Sequence, residues 1–144
     1  MGHYLDRKGL LEVFRNEDVR AVPVKSETQQ ALAGLHRLRS TWLATRTARI
    51  NTVRGLLREF GVVVPAGAHR LVPHLTAIVE DADSGIPGLL RFALAEAARE
   101  IREIEQRLRA VERQLEAVAA ETLPVQQLQS IPGIGLVTAT ALLA

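Results

Sequence analysis

The chain has 144 residues, of which 47% are apolar but only 3% aromatic, with a net charge of +2 and no cysteine. That length suits one domain, or one domain with an appended arm, and an apolar share made of Leu, Ala, Val and Ile fits helices packed on helices better than a β-sandwich. The lack of cysteine excludes disulfides, thiolate metal sites and a Cys nucleophile, while the lack of a long apolar run or signal peptide predicts a soluble, cytoplasmic protein.

Residues 5–15 have the pattern of a short amphipathic helix, ended by Asn16, Glu17 and Asp18. The stretch from Val19 to Val24 is expected to be extended, because Pro23 keeps Val22 out of the helical region. Ser26 with Gln29 forms a capping box that opens a long helix, running to about Phe60 and stopped by Gly61. Residues 62–67 are a connector, and a weaker helix over roughly 68–80 contains Pro73 as a candidate interruption. Asp81 to Gly85 is a turn, after which Pro87 suits the first turn of a helix continuing to about Ala120, where Leu123 and Pro124 break it. A short helix from Val125 to Ser130 then leads into Ile131-Pro-Gly-Ile-Gly135.

That last segment reads as the loop of a helix-hairpin-helix. Pro132 fixes one backbone angle, and Gly133 and Gly135 permit positive φ and close approach. A helix starting at Gly135 has unpartnered N–H groups and a positive dipole end, which together suit a nucleic-acid phosphate. Only nine residues follow Gly135. An isolated helix needs about 12–15 residues to be even marginal in water, so this end is expected to fray or to pack on the long helices. The chain thus reads as stopping in the middle of a domain.

Between 88 and 121 the apolar residues follow strict 4-3 spacing. Leu94, Ile101, Leu108 and Leu115 occupy a positions, and Leu90, Ala97, Ile104, Val111 and Val118 occupy d positions. Such a repeat predicts a coiled-coil seam, either self-associating through residues 90–118 or pairing antiparallel with the earlier long helix. On that earlier helix Leu32, Leu35, Trp42, Ile50, Val53, Leu57 and Phe60 form the apolar stripe. Arg39 and Arg46 project from the same side, with Arg49 at its edge.

Arginines in an apolar stripe need anions. Glutamates of the neighbouring helix are one answer, with the arginine stems packed on Leu and Trp42. Nucleic-acid phosphates along a groove are the other. Six Arg against Glu27 and Glu59 give this helix a charge of +4, whereas six Arg against seven Glu give the later one −1, so the two are complementary. Arginine dominates the cations, with Lys8 and Lys25 the exceptions, and its planar fork suits carboxylate or phosphate.

Catalytic signatures are sparse. Among His3, His36, His69 and His74 no pair has helical metal-ligand spacing with a nearby carboxylate, except that His69 and His74 stand five apart around Pro73, a weak signal, and no GxSxG, Walker loop or GxGxxG is present. Asp81 and Asp83 suit a turn. Asp6 is the one carboxylate to nominate for chemistry, and in the first turn of a helix it equally serves helix initiation.

Several segments, in order, resemble one kind of transposase: residues 6–18, Val22-Pro-Val-Lys-Ser26, Gln29 to Leu32, Leu35 to Arg39, Arg46 to Asn51, Arg54 to Gly61, and Ile131 to Gly135. The family is the DEDD insertion-sequence transposases related to the Piv DNA invertase, some of which are guided by a bridge RNA. The resemblance implies an N-terminal RuvC-like nuclease domain with a DEDD carboxylate set for Mg²⁺, a helical coiled-coil middle, and a C-terminal domain with a hairpin module and a catalytic Ser. On this basis residues 1–25 are a remnant of the end of the nuclease domain, 26–122 the coiled-coil middle, and 123–144 the start of a truncated C-terminal domain. Asp6 matches the second Asp of the family's final acidic motif, while His3 stands where the first would be. A lone Asp cannot hold Mg²⁺, so the chain is expected to be catalytically incomplete, with no cofactor of its own.

The expected fold is all-α, built from long antiparallel or coiled-coil helices with the opening of a helix-hairpin-helix. The expected function is a transposase fragment supplying dimerisation and contacts to DNA, and to a guide RNA, through Arg39, Arg46, Arg49, Gly133 and Gly135. The alternative is a structural coiled-coil module that binds no nucleic acid.

Overall fold

A computed structural model of the protein describes residues 24–65 and 67–144, which form five α-helices and no strand. The helix expected at 5–15, the extended stretch before Val24, His3 and Asp6 lie outside the described residues.

Helix α1 spans Glu27–Glu59 and opens with the capping box its sequence predicts. The Ser26 hydroxyl accepts from the Gln29 backbone N–H at 3.2 Å, and the Gln29 side chain accepts from the Ser26 N–H at 3.0 Å. It closes in a Schellman turn. Gly61 takes φ 74°, the Val62 N–H donates to the Leu57 carbonyl, and the Gly61 N–H donates to that of Arg58. Phe60, placed in the apolar stripe by its wheel position, is instead 42% exposed. It is the C-cap residue, where the backbone leaves the helix and the wheel no longer governs its direction.

From Gly61 the connector doubles back along α1, and Arg54 Nη2 holds it by donating to the carbonyls of Pro65 (3.2 Å) and Gly67 (3.0 Å). Helix α2, Ala68–Glu80, then runs through Pro73 without a break. Pro73 sits on the exposed side, so the N–H it lacks leaves the His69 carbonyl facing water. In the turn after α2 the Asp81 carboxylate accepts from the Asp83 N–H at 2.9 Å. Pro87 is the N-cap of α3, Gly88–Glu121, one position earlier than the first-turn placement expected for it. Thr122 ends α3 and caps α4, Leu123–Gln129, so Leu123 and Pro124 begin the short helix as well as breaking the long one. Helix α5, Leu136–Leu143, completes the fold.

Both α1 and α2 lie antiparallel to α3. Six of the nine expected seam positions are buried inside the chain: Leu94, Ile101, Ile104, Leu108, Val111 and Leu115. Ala98 and Ala119 are buried with them, one position past d, and widen the stripe beyond a two-stranded seam. The width has a cause, since α3 is gripped by α1 along its length and by other helices beside it. Helices α1, α2 and α5 cover most of the 90–118 stripe within the chain, while Leu90, Ala97 and Val118 stay half-buried.

Two cores result. One joins Ile50, Val53 and Leu57 of α1, Leu71 and Leu75 of α2, and Leu94 and Ile101 of α3. The other end joins Leu32, Val111 and Leu115, continuing into Ala119, Val125 and Ala139. Helix α5 belongs to this second end and is packed, with Ala139 and Thr140 wholly buried. The Gln29 side-chain amide donates to the Leu143 carbonyl at 3.1 Å, tying the last turn of α5 to the first of α1. No helix among the described residues is long and apolar enough to cross a membrane.

Candidate nucleic-acid interface

Between the two cores, charged groups flank the buried Ile104 and Leu108 on the facing sides of α1 and α3. The antiparallel register sets Arg39 opposite Glu112 at 2.9 Å, Arg46 opposite Glu105 at 3.9 Å, and Arg49 opposite Glu100 at 2.9 Å. The glutamate answer to the arginines is thus present in the fold. Arg39 directs both Nε and Nη2 at one Glu112 oxygen, and Arg49 directs Nε at both oxygens of Glu100. Arg46 is the least satisfied: its closest carboxylate oxygen is beyond hydrogen-bonding reach, and its Nε is buried without a partner.

The helices part at this level around a half-open cleft of about 240 Å³. Arg39, Leu43 and Arg46 form its α1 wall, and Glu105, Leu108, Arg109 and Glu112 its α3 wall. His69, in the first turn of α2, closes one end. Arg109 and His69 were not singled out by sequence. Glu105, Arg109 and Glu112 do share one face of α3 by their spacing, a signal that was readable; His69 arrives only because the connector returns α2 to this level.

Above the cleft, α5 packs over His36. Burial chiefly, and next the Arg39 guanidinium, hold its imidazole below the usual histidine range, while a hydrogen bond with the Thr140 backbone opposes them.

Gly133 and Gly135 lie in the exposed turn between α4 and α5, at the end of the molecule opposite the α1 C-terminus. Gly133 takes φ 90°, the positive value expected of it. Gly135 is the N-cap of α5 with φ −85° and no side-chain cap, and its carbonyl accepts the first intrahelical bond, from the Ala139 N–H at 2.9 Å. The N–H groups of Leu136, Val137 and Thr138 precede that bond and open toward the turn. The structure therefore brings Arg39, Arg46 and Arg49 together in one row and leaves the two glycines in a separate place.

The chain is similar to several transposases. It is 34% identical over 140 residues to a Pseudomonas aeruginosa protein named "Probable family 20 transposase", covering 96% of this chain and 41% of that protein. A transposase for an insertion sequence element of Coxiella burnetii is 31% identical over 139 residues, covering 96% of this chain and 38% of its own length. Another from Yersinia enterocolitica is 27% identical, again over 96% of this chain and 41% of itself. The chain thus spans about two fifths of the length of these relatives. No family model and no solved structure matches it.

Proposed function

We propose that this chain is part of an insertion-sequence transposase, of the DEDD type related to the Piv invertase, and supplies a helical region that contacts nucleic-acid backbone. The observation that carries this reading is the likeness to named transposases along 96% of the chain. The basic row Arg39, Arg46 and Arg49 supports it, because each guanidinium has five N–H donors and one glutamate does not use them all. The turn around Gly133 and Gly135 supports it too, through unpartnered N–H groups at the start of α5. DNA is the partner this predicts, with a guide RNA as a second nucleic acid of the same backbone chemistry.

Among the described residues no three His, Asp or Glu side chains converge as metal ligands. The resemblance gives Mg²⁺ to the family's acidic set, and Asp6, outside the described residues, is the position it would give to that set.

Binding of duplex DNA and of structured RNA, followed by fluorescence anisotropy across a salt series, tests the proposal. Affinity should fall steeply with salt, and replacing Arg39 and Arg46 by Gln should flatten the slope by roughly two phosphate contacts. The second reading, a structural helical module, is favoured by the three Arg–Glu pairs already formed inside the chain. It would be the better one if the double variant lost thermal stability and kept its affinity, or if the wild type bound neither nucleic acid.

A further inference from the structure

The cleft between the two cores is a better-defined site than a row of arginines. Its walls hold three guanidinium groups against two carboxylates. Arg39 is engaged by Glu112 through two donors. Arg46 has an opposite charge nearby but no hydrogen bond from it, and a buried Nε facing no acceptor. Arg109 is exposed on the opposite wall. Leu43 and Leu108 form apolar lining between them, which strengthens any charge contact made there.

We propose that this cleft binds a single phosphate group, held by Arg46 and Arg109, with Glu105 as the resident competitor for Arg46. A buried N–H donor needs an acceptor. Glu105 supplies charge from 3.9 Å without supplying one. A phosphate presents several acceptor oxygens in a tetrahedral array, so one group can take bonds from the Arg46 guanidinium, turned from Glu105 so that its buried Nε gains an acceptor, and others from Arg109 across the gap. The apolar lining and the half-open mouth suit one phosphate of a backbone passing over the cleft. This deepens the nucleic-acid reading and rests on it for the source of the phosphate.

The test uses the full chain and the arginine side-chain Nε–H signals in NMR, titrated at constant ionic strength with inorganic phosphate and, separately, with a short DNA duplex. Expected are saturable shifts of the Arg46 and Arg109 signals. Arg109→Gln, on an exposed position, should abolish the Arg46 shift without altering the thermal melt. Glu105→Gln removes the competitor and should tighten binding about two- to five-fold, the equivalent of a partly exposed ion pair. Saturation by duplex alone assigns the site to a phosphodiester. Saturation by inorganic phosphate alone keeps the site but overturns the nucleic-acid reading. Duplex binding with Arg46 and Arg109 unmoved, and unchanged in Arg109→Gln, overturns the site and leaves that reading standing. No saturable shift with either probe overturns both.

Discussion

At the end of the bundle where α1 finishes and α3 begins, Leu57, Leu71, Leu75, Leu94 and Ile101 are each at most 1% exposed and come from three helices. At the other end the interior is Leu32, Val111 and Leu115, followed by the smaller Ala119, Val125 and Ala139. The first core is closed by α2, 13 residues long and joined to α3 by a tight turn; the second by α4 and α5, of 7 and 8 residues. Helices that short have no stability of their own. Order at the second end is borrowed from α1 and α3, and the charged waist lies where the two regimes meet.

The difference between the two ends should show most strongly in their cores. Leu57→Ala should cost about 3–4 kcal/mol, within the usual range for a large side chain deleted from a packed interior, and Val125→Ala nearer 1–2 kcal/mol. Urea denaturation measures both; equal losses would mean that the two ends are equally tight. Next comes the turn that ends α1. A Cβ at Gly61 meets no atom within 4 Å, so Gly61→Ala should cost only the left-handed φ, about 1–2 kcal/mol. A larger loss would show that the returning connector is packed more closely than this.

The waist should respond more weakly. The Arg39–Glu112 pair keeps 20% and 40% of its side-chain surfaces exposed. Glu112→Gln should therefore cost under about 1 kcal/mol, and the loss should shrink in high salt. Smallest is the pH effect of His36. Its folded pKa is lowered from 6.5, so below that value the unfolded chain binds more protons. Stability should be full above pH 6.5 and decline as pH falls toward the lowered folded value. His36→Gln should flatten that decline in thermal melts; an unchanged slope would assign it to other groups.

Much of the fold was legible because its signals are local. Ser26 with Gln29, Gly61, the Asp81 turn and the 4-3 spacing of α3 each act within a few residues. What covers α3 was not legible from that spacing, since a heptad seam reads alike in a two-stranded coil and in a bundle. Ala98 and Ala119 were the available hint, small residues flanking d where a second helix approaches. Arg39 and Arg46 are legible as cations inside an apolar stripe, and the −1 charge of the later helix against +4 points to glutamate partners. Arg109 is legible only through its spacing with Glu105 and Glu112 on one face of α3. His69, in a weak helix, carries no periodic signal and joins the cleft through the reversal of the chain after Gly61.

That reversal also orders assembly in time. The α2–α3 hairpin brings together residues close along the chain, and such local contacts form early. The bonds that fasten α1 span 73 residues from Arg39 to Glu112 and 114 from Gln29 to Leu143. Helix α1 is synthesised before α3 and has to wait for it before its apolar side is covered. Until then its +4 charge keeps nascent copies apart, so the arginines act as solubilising groups before the fold engages them.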